Sequence, residues 1–406
     1  MQPCIVKQPI HNSKGEVWAY DLSYSNAAAD YSQHPSDNEA AAALQSLLMQ
    51  CNTESFLENK IVFAFFTENL LRRNVPKIFS AQSLVLQIDH DFLLLPDAMH
   101  LVHEYHSEGY RVALIGFDFN SMYLAALNTV DYVKLSFQSD SYNHKSAVEV
   151  LRQLGKETVG YHVDSKEAYM RATELGIQHM QGSYIASTLP SSIHSLNLIH
   201  SNFFRLVVAI TREEPSFIEI EEIIVRDVTL TYSLLKLVNS AFFALRSRVT
   251  SVQQALVILG LEQLKQWIYL LSFNPDGKAP IEFIKTSLLR ASFCEALCVC
   301  IKDMPVPKSE AYLMGLFSTL GALLQIPLEQ ALAEISLCGE VRDALLTGAG
   351  RCGMLFQLVL SYEKADWHRI SEYAEQLGIP QSVLSQKYLE CMEKVNGIWR
   401  QITQVL

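Results

Sequence analysis

The 406-residue chain is half apolar, carries a net charge of −11 and contains eight scattered cysteines. This length predicts two or three domains. No apolar run approaches the roughly 20 residues of a membrane span, and the N-terminus lacks the basic start and long apolar stretch of a secretory signal. We therefore expect a cytoplasmic protein with no membrane association and with reduced thiols.

The negative charge is unevenly distributed along the chain. Residues 1–200 carry 13 basic against 21 acidic side chains, and residues 201–406 carry 19 against 22. Binding to phosphate backbones needs a surplus of cations. Neither half has one, so we predict no nucleic-acid partner.

The first half alternates short apolar runs with amphipathic stretches, which indicates repeated strand–helix units. The predicted strands are Cys4–Ile10, Val17–Tyr24, Lys60–Phe66, Ser83–Ile88, Arg111–Phe117, Tyr132–Leu135, Glu157–Tyr161 and His179–Tyr184. The predicted helices begin at the capping-box pair Ser36 and Glu39 and then cover Asp97–Glu108, Met122–Leu127, Ser146–Leu154 and Lys166–Leu175. Such alternation predicts an α/β barrel or an open sheet.

The second half has helical apolar spacing from about Ser201 onward, with a break at Gly260. It reads as an all-α domain. The Ser-rich stretch 186–197, which contains Pro190, is the natural boundary. The predicted domains are therefore residues 1–190 and residues 197–406.

Several motifs in the first half occur in a recognisable order. They are K-Q-P-I followed by W-A-Y-D-L, then V-D-Y-V-K-L at 130–135, and Q-G-S-Y at 181–184 followed by Pro190. In order and spacing they resemble the EAL domain, the cyclic di-GMP phosphodiesterase barrel. The resemblance covers nearly all of residues 1–190 and implies a TIM-like α/β barrel.

The second half contains L-V-N-S-A at 237–241 followed by A-L-V-I-L-G at 255–260. This pair resembles the HDOD domain, a non-catalytic relative of HD-type phosphohydrolases, over roughly residues 197–400. EAL joined to HDOD is a bacterial signalling architecture. The resemblance therefore implies a signal transduction protein.

Phosphodiester cleavage of the EAL kind uses Mg²⁺ or Mn²⁺ held by several carboxylates. Aligned with the family, the acid of the naming motif is Asp21, which is one methylene shorter than Glu, and Lys134 is retained. Asp164 and Gln181 also match family positions. The other ligand positions are replaced by Ser25, Phe65, Gln87, Ile115, Gly116, Ser136 and Tyr161. A two-residue slip would place Asp118 in the paired-acid position but would spoil its distance to Lys134.

These replacements predict a remnant site consisting of Asp21, Lys134, Asp164 and Gln181, with no metal, no cofactor and no catalysis. The helical half offers only His200 and His368 as histidines, and neither precedes an Asp, so no HD metal site is expected there. We predict a pseudo-phosphodiesterase that binds protein partners through the HDOD domain, and a homodimer is left open. The alternatives are residual cyclic di-GMP hydrolysis with Mg²⁺ or Mn²⁺, and cyclic di-GMP sensing without hydrolysis.

Three further patterns have a structural and a functional interpretation. The string G-A-G-R-C-G at 348–353 predicts a turn between helices rather than a dinucleotide loop, because no strand precedes it. Cys294, Cys298 and Cys300 are expected to be buried thiols rather than metal ligands. Asn239 either fixes the junction of two HDOD helices or simply ends a helix.

Overall fold

The computed structural model describes residues 4–25, 60–89, 91–116, 126–138, 144–187, 201–212, 214–226, 228–239, 249–273, 281–324, 326–333 and 337–403, with positions 37, 41 and 44. The chain divides into two compact units. The barrel unit comprises residues 1–188, 360–375 and 380–389. The helical unit comprises residues 189–359, 376–379 and 390–406.

Eight strands form a closed barrel in chain order. They are β1 Cys4–Asn12, β2 Val17–Ser25, β3 Ile61–Phe65, β4 Leu84–Asp89, β5 Arg111–Ile115, β6 Tyr132–Ser136, β7 Glu157–Tyr161 and β8 His179–Gln181. β1 runs antiparallel to both of its neighbours, and β2 to β8 are parallel. The predicted TIM-like barrel is confirmed.

The barrel interior is filled in layers because inward side chains recur every second residue along a strand. The lower layer is a buried cluster of Ile10, Ala19, Phe63, Val85, Ala113, Tyr132 and Val159. Trp18 closes this end, stacking on His179 with ring centroids 3.7 Å apart. The next inward positions lie two residues further along the parallel strands and two residues earlier on the antiparallel β1, and they form the layer that contains the candidate site.

Helices surround the strands. In the described part of residues 1–188 they are α1 Glu68–Arg72, α2 Ala98–Ser107, α3 His144–Gln153, α4 Lys166–Glu174 and α5 Ser183–Ser187. The last predicted strand is too long, because β8 ends at Gln181 and Tyr184 lies in α5. The helix predicted to begin at Ser36 lies outside the described residues except at positions 37, 41 and 44, which are helical, and most of Met122–Leu127 also lies outside them.

The helical region confirms the predicted all-α class. Its described helices are α6 Ser201–Thr211, α7 Phe217–Val225, α8 Val228–Val238, α9 Val252–Phe273, α10 Ile281–Cys298, α11 Lys308–Phe317, α12 Leu320–Leu324, α13 Leu328–Ala333, α14 Gly339–Thr347, α15 Gly350–Glu363, α16 Trp367–Leu377 and α17 Gln381–Thr403. Gly260 interrupts α9 with φ of 66°, as its predicted break requires.

Other predictions for this region can be placed. Gly348 ends α14 in the left-handed conformation, so G-A-G-R-C-G forms a turn between two helices. Cys294 is buried as a free thiol, and desolvation raises its pKa. Along the described chain, no one helix has the length and apolarity to cross a membrane; the pair α14 and α15, bent by 48°, meets that criterion only when taken together.

The barrel unit includes two segments from the far end of the chain, residues 360–375 and 380–389. The sequence prediction placed these segments with the helical domain. Tyr362 and Tyr388 are buried, and their ring centroids lie 4.7 Å apart. Both contact β1, as described below, so residues of the last helices complete the packing of the barrel.

Candidate functional site

The second inward layer of the barrel is polar on five of its strands. Asp21 follows Ala19 by two residues on β2, Gln87 follows Val85 on β4, and Lys134 follows Tyr132 on β6. Gln8 on β1 and Gln181 on β8 complete the set. These side chains lie towards the carboxyl ends of the parallel strands, which is where barrel enzymes of this topology place their active sites.

Asp21, Gln87 and Lys134 form a closed triangle of hydrogen bonds. The Nζ atom of Lys134 donates to Asp21 Oδ2 at 3.0 Å and to Gln87 Oε1 at 2.9 Å, and Gln87 Nε2 donates to Asp21 Oδ1 at 2.6 Å. The three residues are between 2% and 6% exposed. At this burial a charge needs a partner, and here the carboxylate and the ammonium neutralise each other.

Gln181 extends this network to β1. Its Nε2 donates to Asp21 Oδ2 at 2.8 Å and to Gln8 Oε1 at 2.6 Å. Gln8 Nε2 in turn donates to the backbone carbonyl of Glu363 at 2.9 Å. The buried Oε1 of Gln181 has no hydrogen-bond partner among the described residues. The network is therefore almost fully satisfied by the protein itself.

Asp164, the fourth predicted site residue, has a different position. It is exposed, and its Oδ1 accepts hydrogen bonds from the backbone N and the Oγ of Ser183, at 2.7 and 2.8 Å. It thereby holds the turn between β8 and α5. The structure brings Asp21, Lys134 and Gln181 together, and none of the hydrogen bonds that join them involves Asp164.

The remaining positions of this layer are apolar or aromatic. Phe65, Ile115 and Tyr161 each follow the lower layer by two residues on β3, β5 and β7. The Lys134 ammonium lies 5.5 Å from the centroid of the Tyr161 ring and 6.0 Å from that of Phe63. Aromatic faces favour the retained ammonium and offer no oxygen ligand to a hard cation.

These residues do not fit a pair of divalent cations. Mg²⁺ and Mn²⁺ require several oxygen ligands, mostly carboxylates. Asp21 is the one carboxylate in the triangle, and both of its oxygens are engaged by Lys134, Gln87 and Gln181. The described residues contain no group of three or more His, Cys, Asp or Glu side chains arranged to hold a metal. The side chains of Ser25 and Asp118 lie outside the part of the chain that the structure describes.

The pKa values of two tyrosines beside the network are raised, and the Asp21 carboxylate contributes to both shifts. Burial and the nearby Asp21 carboxylate raise the pKa of Tyr24, whose hydroxyl donates to the carbonyl of Phe65. The pKa of Tyr161 is also raised, chiefly by desolvation, although a hydrogen bond with Ser136 opposes the shift. Both phenols therefore stay protonated at neutral pH, and the Tyr24 hydroxyl acts as a donor.

Sequence reasoning missed two members of the network. From the sequence, Gln87 was interpreted only as the replacement of a family acid, whereas in the structure its side chain bridges Asp21 and Lys134. Gln8, within K-Q-P-I, was noted only as part of a family motif. The period-2 inward register shared with Val85 and Ile10 could have identified both, because it places them in the same layer as Asp21.

In the helical unit, Asn239 is the most specific polar feature. Its Nδ2 donates to the carbonyls of Leu235 and Val249 at 2.8 Å, and its Oδ1 accepts from the backbone N of Val249 at 2.8 Å. Of the two interpretations, this pairing fits a residue that fixes the junction of α8 and α9, and the position is structural in either case.

The same unit exposes apolar side chains. Ile218 is 72% exposed and Val225 is 57% exposed; they lie two turns apart on α7 and share a face. Phe217 beside them is also exposed. We name these three residues the α7 face. Large exposed apolar groups on one helix face are a feature of interaction sites.

The fold and the site define a closed barrel whose mouth carries a polar network, followed by a helical domain. The EAL domain model matches residues 26–188, and the HDOD domain model matches residues 196–340. The chain therefore carries an EAL domain and an HDOD domain, and the predicted resemblances are confirmed. The EAL match begins after β2, so the alignment of Asp21 with the family's acid stays a prediction.

Two proteins are similar along almost the whole chain. One is described as uncharacterized protein YuxH of Bacillus subtilis (strain 168), 28% identical over 405 residues, covering 97% of this chain and 98% of that protein. The other is cyclic di-GMP phosphodiesterase CdgJ of Vibrio cholerae serotype O1, 25% identical over 407 residues, covering 98% and 93%. The solved EAL domain of Mycobacterium smegmatis DcpA is 14% identical, covers 45% of this chain and 91% of its own, and has a TM-score of 0.35.

Proposed function

We propose that this chain is a cytoplasmic bacterial signalling protein that does not hydrolyse cyclic di-GMP and acts by binding other proteins through its HDOD domain. The presence of EAL and HDOD domains supports a signalling role. The observation that carries the proposal is the closed triangle of Asp21, Gln87 and Lys134. It places an ammonium against the one carboxylate of the triangle, where a two-metal phosphodiesterase needs cations.

The energetics of the triangle oppose metal binding. A divalent cation would have to displace Lys134 from Asp21, which leaves the ammonium buried without its counter-charge. The neighbouring Phe65 and Ile115 supply no compensating ligand. The proposal therefore includes no resident metal or cofactor, and nucleic acid is not a partner in it.

The α7 face supports protein binding as the output. Its exposed side chains are apolar, and Glu221 and Glu222 lie between Ile218 and Val225 on the same side of the helix, so a partner would meet apolar groups interspersed with acidic ones. Interfaces commonly combine apolar and polar contacts. A second copy of the chain and an unrelated protein are both compatible with this surface.

The alternative is cyclic di-GMP hydrolysis or sensing, and it is favoured by one observation. A relative along the full chain carries the name cyclic di-GMP phosphodiesterase. In this alternative, Asp21 would hold Mg²⁺ or Mn²⁺ after Lys134 has moved, or the nucleotide would bind without metal.

The test uses the full-length chain, because residues 360–375 and 380–389 belong to the barrel unit and a helical fragment would remove them from it. Tagged wild-type protein and an Ile218→Asp/Val225→Asp variant are used for affinity capture from cells of the native host. Val299→Asp is the matched control, because Val299 is 64% exposed in the same unit. Proteins captured by wild type and control but lost from the α7 variant support the proposal.

In parallel, titration calorimetry with cyclic di-GMP, with and without Mg²⁺, tests the alternative. No heat of binding and no turnover is the expected result. Binding without turnover would indicate a sensor, and metal-dependent turnover would indicate an enzyme.

In the capture experiment, equal recovery of partners by wild type, the α7 variant and the Val299→Asp control would remove the α7 face from the proposal.

A further inference from the structure

Among the described residues, the first half of β1 pairs with a strand on one side only. Residues Cys4–Ile10 pair with β2 on one side, but β8 pairs only with Ile10–Asn12, because it is three residues long. Backbone groups of Ile5, Lys7 and Pro9 point to the same edge, since they are two residues apart. Unpaired strand edges must be covered or satisfied.

Two tyrosines from the end of the chain satisfy this edge. The Tyr362 hydroxyl donates to the carbonyl of Ile5 at 3.4 Å, and the Tyr388 hydroxyl accepts from the backbone N of Lys7 at 3.3 Å. Pro9, the next residue on this edge, has no N–H to satisfy. The edge thus uses side-chain hydroxyls from residues 360–389 in place of a neighbouring strand.

A chain of hydrogen bonds links the same segment to the barrel interior. It runs from Asp21 to Gln181, from Gln181 to Gln8, and from Gln8 to the carbonyl of Glu363, with distances of 2.8, 2.6 and 2.9 Å. Glu363 is the last residue of α15, a helix that begins at Gly350 in the helical unit. Gln8 is therefore the residue through which the polar layer contacts this helix end.

We propose that the two late segments of the barrel unit, residues 360–375 and 380–389, form a strap on β1, and that Gln8 couples the strap to the Asp21 network, so that a displacement of Gln181 or Gln8 loosens the strap. The coupling requires only that a change inside the barrel alters the hydrogen bond to Glu363. The inference concerns the barrel unit alone, and it stands whether or not the helical unit binds a partner.

Hydrogen–deuterium exchange of the full-length chain tests the coupling. In Gln8→Glu, the carboxylate still accepts from Gln181 but presents an acceptor to the Glu363 carbonyl. We expect amide exchange in residues 364–389 to rise about five- to tenfold, the change typical of one lost hydrogen bond, while β4 and β6 keep wild-type rates. Gln153→Glu, at an exposed glutamine of α3, is the matched charge control.

An interior variant completes the test. Asp21→Asn should raise exchange of residues 364–389 in the wild-type background and add less than about twofold in a Gln8→Leu background. The proposal would be overturned if Asp21→Asn raised exchange equally in the two backgrounds. It would also be overturned if Gln8→Glu left the exchange of residues 364–389 unchanged. If Asp21→Asn loses its circular dichroism spectrum, Gln8→Glu decides alone, because it leaves the triangle intact.

Discussion

The ammonium of Lys134 lies 3.0 Å from Asp21 Oδ2 in the interior of the barrel, and both side chains are almost completely buried. The pair lies towards the carboxyl ends of the parallel strands, where barrel enzymes place their active sites. A buried ion pair is costly to assemble, and it is more costly to break on one side, because the remaining charge stays desolvated.

Removing one partner of this pair should therefore destabilise the barrel strongly. Lys134→Met is expected to cost about 3–5 kcal/mol, because Asp21 would stay charged and buried. In the double variant Asp21→Asn/Lys134→Met, the loss should be about 2 kcal/mol smaller than the sum of the single losses. Urea unfolding of the full chain, followed by tryptophan fluorescence, measures these values. Additive losses would show that the two side chains do not depend on each other.

Hydrolysis should not be recovered by lengthening the acid. Purified wild type and Asp21→Glu are both expected to release no product from cyclic di-GMP with Mg²⁺ or Mn²⁺, since one carboxylate cannot hold two cations beside Phe65 and Ile115. The Vibrio cholerae relative, assayed under the same conditions, is the positive control. Metal-dependent product from Asp21→Glu would mean that the other ligand positions were misaligned.

Much of the barrel follows from local pattern, but the extent of its polar network does not. Apolar runs separated by turns predicted all eight strands, and a family motif pointed to Asp21, Lys134 and Gln181. Asp164 was included for the same reason, yet it serves a turn. A motif identifies which position of the sequence corresponds to a family position. It does not identify the hydrogen-bond partner of that residue, because the partner depends on where the side chain points in the closed barrel.

The contribution of residues 360–375 and 380–389 to the barrel had no signal in the sequence. Tyr362 and Tyr388 lie more than 350 residues from Ile5 and Lys7, and both occur in helical patterns that read as part of the second domain. Contacts at such separation come from tertiary packing, which local propensity and periodicity do not encode.

Asn239 should be important for the stability of the helical unit. Asn239→Ala removes three hydrogen bonds and leaves the backbone N of Val249 without its acceptor, which is expected to cost about 2–3 kcal/mol. Asn239→Asp retains the acceptor for Val249 and should cost less than the alanine variant. Thermal unfolding of the two variants measures the difference. Equal melting temperatures for wild type and Asn239→Ala would show that α8 simply ends there.

The last prediction concerns His11 and acid stability. This side chain on β1 is 3% exposed, its Nδ1 has no partner among the described residues, and desolvation lowers its pKa to about 4 despite a backbone hydrogen bond at Met180. The unfolded chain binds this proton near pH 6.5, so between pH 6.5 and 4 the unfolded state binds more protons than the folded state. Stability is therefore expected to rise with pH across this window and to fall by roughly 3 kcal/mol from pH 6.5 to pH 4 on account of this residue. Urea midpoints measured at half-unit pH intervals give the slope, and His11→Gln should flatten it, because an amide does not titrate. If wild type and His11→Gln lose stability in parallel as the pH falls, the acid sensitivity of the barrel unit arises at another group.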